Sequence, residues 1–364
     1  MEVRIRLRKL LQEHRLDRKG VINQIAREAG LHRHVVAKLY HDKSPSPSLS
    51  SLTKVSNWLR DHGIPAEILP MALLGSRPAK LFEAVARPGT VRIYIGEYQD
   101  TQTPEATLLW TNRRDTTVAG MIVQALTAGD NGGSRPWIIF EYVPFRYLGL
   151  RAELDEDRFR QDVERSEGVF RRMQSHGGLS TSVLVGSQRT NYLVERVVAD
   201  LFGCEPFVPV GRKVKVPFHL VYRGRDRAVP SCFGGLDKPP GCRERKAAGV
   251  YYLDKRGRWA VCPFESGRKC AGIILTTYDS AAGGLTLGIM GFSGRGTEAL
   301  GRKLLLDAAP FWPPYAGKKG REVGVYVCRF EIGPEGKAGV GQAVRVRNFK
   351  VVGIDEKVLN GCLT

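Results

Sequence analysis

Residues 21–43, VINQIAREAGLHRHVVAKLYHDK, constrain the fold more tightly than any other stretch of the chain. Ala26, Gly30 and Val36 set the pattern. Ala26 is thin enough for a second helix to cross closely, Gly30 can take the positive φ that ends the first helix, and Val36 is an inward apolar anchor on the second. Ile22, Ile25, Leu31, Val35 and Leu39 fall at three- and four-residue steps around them and complete one apolar face. The spacing predicts two short amphipathic helices joined by a tight turn, with basic and histidine side chains opening the second.

Upstream, VRIRLRKLLQEHR places Ile5, Leu7, Leu10 and Leu11 on one side of a helix with an arginine-rich outer surface. Downstream, SPSPS is a rigid polar turn, and Leu49, Leu52, Val55 and Leu59 repeat helical spacing. Four helices are therefore expected in one all-α domain over residues 1–66. On these residues the segment resembles the Xre/Cro-type helix-turn-helix repressors, whose Ala, Gly and Ile/Val spacing Ala26, Gly30 and Val36 reproduce; Pro47 and the later leucines also fit. Where those repressors often carry a Thr-Gln pair, this chain has Val21 and Ile22. The resemblance implies that His32, Arg33, His34 and Lys38 face the major groove of double-stranded DNA, with Lys43 just beyond them and Arg33 able to make a bidentate pair to guanine. A helical hairpin that binds protein is the alternative.

Charge agrees with a polyphosphate partner. Residues 1–63 hold 13 Lys and Arg against 6 Asp and Glu, a net +7 within a chain total of +19. Such an excess draws the chain to nucleic acid in a salt-dependent way, without distinguishing DNA from RNA.

At 364 residues, 42% of them hydrophobic, the chain can bury more than one core. No apolar run reaches the ~20 residues of a bilayer span, and the start MEVRIRLRKL is charged rather than signal-like, so no membrane partner and a cytoplasmic location are expected. Cys232, Cys242, Cys262 and Cys270 lie close in sequence but form no C-x-x-C pair. They are read as reduced thiols, with no metal site.

Residues 67–90 form a proline-bearing linker with one helical piece at 80–86. Beyond it the period changes. VRIYI, WIIFEYV, TSVLVG, GIILTTY and LTLGIMG are strand-like runs, and helical patterns occupy 115–126, 155–174, 191–202 and 298–308. The alternation predicts an α/β Rossmann-like domain over 91–364, with a mostly parallel sheet and a possible division near 178. Antiparallel hairpins turning at 254–257 and 334–339 decorate it.

Two glycine-bearing turns carry the most chemistry there. Gly186, Ser187, Arg189 and Asn191 link a strand to a helix, as do Gly291, Ser293, Gly294, Arg295, Gly296, Thr297 and Glu298. Backbone N–H groups at each helix start, with Arg189 and Arg295 nearby, suit a phosphate or carboxylate. In an open α/β sheet such turns converge on one crevice. The pair resembles the nucleotide-binding SLOG superfamily over about residues 180–310: Gly186 and Ser187 match its early Gly-Ser element, and Gly294, Gly296 and Thr297 its late Gly-Thr turn. Its hydrolases carry a glutamate farther beyond that turn than Glu298, so the resemblance implies a ligand domain more than an active glycosidase. Ordinary tight connections would give the same residues. Arg295 stands where a G-x-S-x-G elbow needs its last glycine, which argues against a serine hydrolase. Phe218, Tyr222 and Phe233 lie among basic residues in a pattern that a strand with a packed face explains as well as base stacking.

These features together predict a dimeric, sequence-specific DNA-binding transcriptional regulator whose C-terminal domain senses a small anionic, nucleotide-like ligand. The alternative is a nucleotide-processing enzyme of the N-glycoside hydrolase type with a DNA-binding head.

Overall fold

The computed structural model describes residues 3–5, 7–41, 48–64, 74–76, 80–100, 108–128, 135–145, 156–177, 180–211, 213–224, 229–279, 283–318, 320–333 and 344–364. The chain divides into two compact units, one of residues 1–79 with 279–284, the other of residues 80–278 with 285–364.

The first unit holds strand β1 (Val3–Ile5), helices α1 (Leu7–Glu13), α2 (Val21–Glu28), α3 (Arg33–Tyr40) and α4 (Leu49–Asp61), and strand β2 (Leu74–Ser76). The expectation of an all-α unit is corrected here: β1 and β2 pair antiparallel, Val3 opposite Ser76 and Ile5 opposite Leu74. Val3-Arg4-Ile5 alternates apolar and basic with two β-branched residues, so strand period wins over helix period, and Ile5 precedes α1 instead of joining its face. The helical core packs Leu7, Leu11, Val21, Ile25, Val36, Leu39, Val55 and Leu59.

The second unit begins with α5 (Leu81–Ala86), which buries Leu81, Ala84 and Val85 in this unit's core. There follow β3 (Thr90–Asp100), β4 (Leu108–Thr111), α6 (Arg113–Ala128), β5 (Trp137–Pro144), α7 (Glu156–His176), β6 (Thr181–Val185) and α8 (Tyr192–Phe202). Then come β7 (Phe218–Val221), β8 (Gly234–Gly235), β9 (Gly249–Leu253), β10 (Trp259–Pro263), β11 (Lys269–Asp279), β12 (Leu285–Gly291), α9 (Gly294–Leu306), β13 (Ala316–Lys318), β14 (Arg321–Ile332), β15 (Val346–Gly353) and α10 (Glu356–Cys362).

A nine-stranded mixed sheet organises this unit. Its centre is parallel: β5 pairs with β3, β3 with β6, and β6 with β12. Its flank is not. β11 runs antiparallel to β12, and β14 runs antiparallel to both β13 and β15. The mostly parallel, Rossmann-like expectation is therefore corrected to a mixed α/β fold. The physical reason is connection length: residues 280–284 between β11 and β12 are too few for the helical crossover that a parallel pair requires. β3, β5 and β6 share one sheet, so strands from both sides of position 178 belong to it. A second, four-stranded sheet has the order β10-β9-β7-β8, with the β9–β10 hairpin closing at Asp254 and Gly257. The turn expected at 334–339 lies outside the described residues, but its strands β14 and β15 pair.

Candidate functional site

At residues 21–40 the apolar spacing becomes a packed helix pair. Gly30 ends α2 at φ +61°, and Leu31 N–H donates to the Ala26 carbonyl at 2.9 Å, the six-to-one bond of a glycine-closed helix end. An added Cβ at Gly30 would meet nothing within 4 Å, so backbone conformation rather than space demands glycine there. α3 then turns Val36 and Leu39 into the core and leaves Arg33, His34 and Lys38 exposed. His32 is the N-cap of α3: its Nδ1 accepts the His34 N–H at 3.2 Å. Lys43 lies outside the described residues.

α4 braces this pair. Lys54 Nζ donates to the Gly30 carbonyl at 3.2 Å, and Trp58 Nε1 donates to Glu28 at 2.8 Å. The Trp58 hydrogen bond, aided by Gln24, Arg27 and His62, holds the Glu28 carboxyl below its usual range against some desolvation.

In the second unit the two glycine turns leave adjacent parallel strands at the same sheet end, since Val185 pairs with Ile289 and Gly186 N–H donates to the Ile289 carbonyl at 3.1 Å. They are thus brought together, but most of their polar side chains serve the fold. Asn191 is fully buried; its Nδ2 donates to the Tyr94 and Val185 carbonyls, both at 3.0 Å, and its Oδ1 accepts Leu193 N–H as the α8 cap. The Ser187 carbonyl accepts the N–H groups of Thr190 and Asn191. Arg189 stacks 4.7 Å over the Tyr222 ring.

At the second turn, Ser293 Oγ accepts Gly296 N–H at 3.2 Å, and the Thr297 hydroxyl donates to the Ser293 carbonyl. Gly291 packs so closely on this turn that a Cβ would lie 2.0 Å from Thr297 N. Arg295 donates to the Gly333 carbonyl at 2.7 Å, so the two arginines engage separate partners. Glu298 is buried and bound by Arg114, Arg302 and the Val344 N–H. Desolvation raises its pKa, but these three partners outweigh it and hold the carboxyl below its usual range. Gly294 stands against Arg114 and Asn112, which brings the start of α6 to the same place.

That neighbourhood contains a residue the sequence did not single out. Asp115, in the first turn of α6, is buried, and its Oδ2 would sit 2.9 Å from a Cβ on Gly186. Burial pushes its carboxyl up to about 7, with a Thr190 hydrogen bond opposing, and Oδ2 has no hydrogen-bond partner. Acidic residues at helix starts are common for dipole reasons alone, so nothing in the local sequence marks this one as buried.

All seven cysteines are free thiols, and Cys270 Sγ lies 3.5 Å from Ser293 Oγ beneath the second turn. Among the described residues no helix is long and apolar enough to cross a membrane. No family model, no curated protein and no solved structure matches the chain.

Proposed function

We propose that the chain is a sequence-specific DNA-binding transcriptional regulator acting in the cytoplasm. One observation carries this: Arg33, His34 and Lys38 stand exposed on a helix whose opposite side, Val36 and Leu39, is buried, behind a glycine-closed turn braced by α4. The net +7 of residues 1–63 supports it by drawing the unit to phosphate. Short reading heads of this size bind palindromic sites as pairs, so a homodimer is part of the proposal.

The second unit senses a small anionic, nucleotide-like ligand at the ends of β6 and β12. The residues left for it are the turn backbone and the partly exposed Arg189, Thr190, Ser293 and Gly294 rather than the buried side chains. A ligand bound there changes DNA affinity only by its differential affinity for two arrangements of the dimer. Selection of random duplexes by the full chain tests the DNA reading, with enrichment of one palindromic motif expected. Titration of nucleotides into the selected complex tests the sensor, and an unchanged DNA affinity at every concentration ends it.

Asp115 favours a second reading, an enzyme acting on nucleotides by N-glycoside hydrolysis. A buried carboxyl raised to about 7 beside the strand-end turn at Gly186 is the kind of group that general acid–base chemistry uses. Incubation with NAD and nucleoside monophosphates, followed by chromatography for a released base, separates the two readings.

A further inference from the structure

Among the described residues the sheet ends in an edge that lacks the usual protection. β5 carries three exposed rings within six residues, Trp137 at 79%, Phe140 at 44% and Tyr142 at 50% exposure. Among the described residues β5 pairs with β3 alone. Its one charge, Glu141, is neutralised from within by Arg92 at 2.6 Å. Natural edge strands are blunted with lysines, prolines or bulges because an open row of backbone N–H and C=O groups recruits another strand. Here prolines stand only at the ends, Pro136 just before Trp137 and Pro144 at the strand's last position.

We propose that β5 is the dimer interface: two copies of this chain pair antiparallel through β5 about a two-fold axis at Phe140, joining their sheets. The occupant follows from symmetry, size and charge. Residues paired across neighbouring strands point to the same face, so Phe140 and Tyr142, opposite Ile93 and Ile95, share one face with Ile138, and Trp137 lies on the other. With the axis at residue 140, Phe140 meets its own copy, Ile138 meets Tyr142, Trp137 meets Val143, and Ile139 meets Glu141. Phe140 and Tyr142 are each matched by an apolar partner, Val143 opposite Trp137 is already buried in its own protomer, and no like charges face each other.

The three rings alone leave roughly 350 Å² per copy exposed, given the ~150–250 Å² that an aromatic side chain buries. Two copies bring about 700 Å², and the paired backbone with its neighbours extends this toward the ~1,200 Å² at which stable interfaces begin. A chain of net +19 repels its own copies elsewhere on its surface, whereas this edge is neutral.

The interface stands on its own residues and not on the DNA reading. Light scattering coupled to gel filtration of the full chain at 0.1–50 µM tests it. Twice the chain mass is expected, with F140K weakening association at least 100-fold and W137A about tenfold, both keeping the native circular dichroism spectrum. Oxidation of F140C is expected to give a cross-linked dimer that wild type does not form, because facing residues of an antiparallel pair lie within disulfide reach. A monomeric wild type, or a dimer that F140K leaves intact, overturns the proposal. If such a monomer still selects one duplex sequence, the interface and the homodimer of the proposed function fall and the DNA-binding reading stands.

Discussion

The helix pair at residues 21–40 and the two glycine turns after β6 and β12 both set basic and polar residues around a glycine, and they differ in where their polar side chains go. On α3, Arg33, His34 and Lys38 are exposed, whereas His32 is tied down as a cap and Tyr40 by its hydrogen bond to Asp17. In the turns Asn191, Thr297 and Glu298 are buried and hydrogen-bonded within the fold. Helix periodicity divides a segment into an inside and an outside, so side chains off the apolar stripe reach solvent. A strand-to-helix turn at the centre of a sheet has no such division. Its backbone groups must be satisfied by whatever polar side chain lies nearest.

The contrast can be broken by substitution. Glu298→Ala leaves Arg114 and Arg302, each about a third exposed, without their shared carboxylate and the Val344 N–H without its acceptor, a loss of about 2–3 kcal/mol. Chemical denaturation should show a loss of that order. A change within ~0.5 kcal/mol would mean that Glu298 is available for ligand after all.

Asp115 gives the next largest effect, and its sign is fixed by linkage. Its pKa rises from 3.8 to about 7 on folding, so the native state binds the proton more tightly. Its contribution is fully present below pH 3.8 and is lost as pH rises through about 7. Asp115→Asn removes that dependence and should stabilise the chain by a few kcal/mol at pH 8 relative to pH 5, at ~1.4 kcal/mol per pKa unit. Parallel unfolding curves for the variant and wild type from pH 5 to 8 would remove the buried-carboxyl account.

Replacing His32 by Ala is the smallest change, about 1 kcal/mol if its Nδ1 acts as an N-cap. Thermal unfolding reads that loss. If H32A instead abolishes duplex binding at unchanged stability, the residue belongs with the readers rather than the fold.

How far the fold was legible follows the same division. α6, α7 and α8 lie where their periods predict, because each spans three or more turns, and so do the strand cores of β3, β5, β6, β11 and β12, because short β-branched runs bounded by turn residues mark them. The β1–β2 pairing was not legible: its strands are three residues long and some 70 residues apart, so nothing local records the partner. The direction of β11 against β12 was legible in connection length but not in composition, since buried parallel and antiparallel strands are equally apolar. For the candidate sites, the exposed α3 residues could be read because helical period states exposure. The duties of Asn191, Arg295 and Glu298 could not, since their partners Tyr94, Gly333, Arg114 and Val344 come from distant segments. Asp115 was hidden for the same reason: it is buried against Gly186 and Thr190, which a helix-start aspartate does not announce.

The most direct test of the DNA reading is the affinity of the full chain for its selected duplex, measured by fluorescence anisotropy at several salt concentrations with Arg33 and Lys38 both changed to alanine. The account predicts at least a 100-fold loss at unchanged stability, from ~1–3 kcal/mol for a base-reading arginine and a further phosphate contact. The salt slope should also become shallower. Equal affinity and equal slope for the variant and the wild-type chain would contradict it.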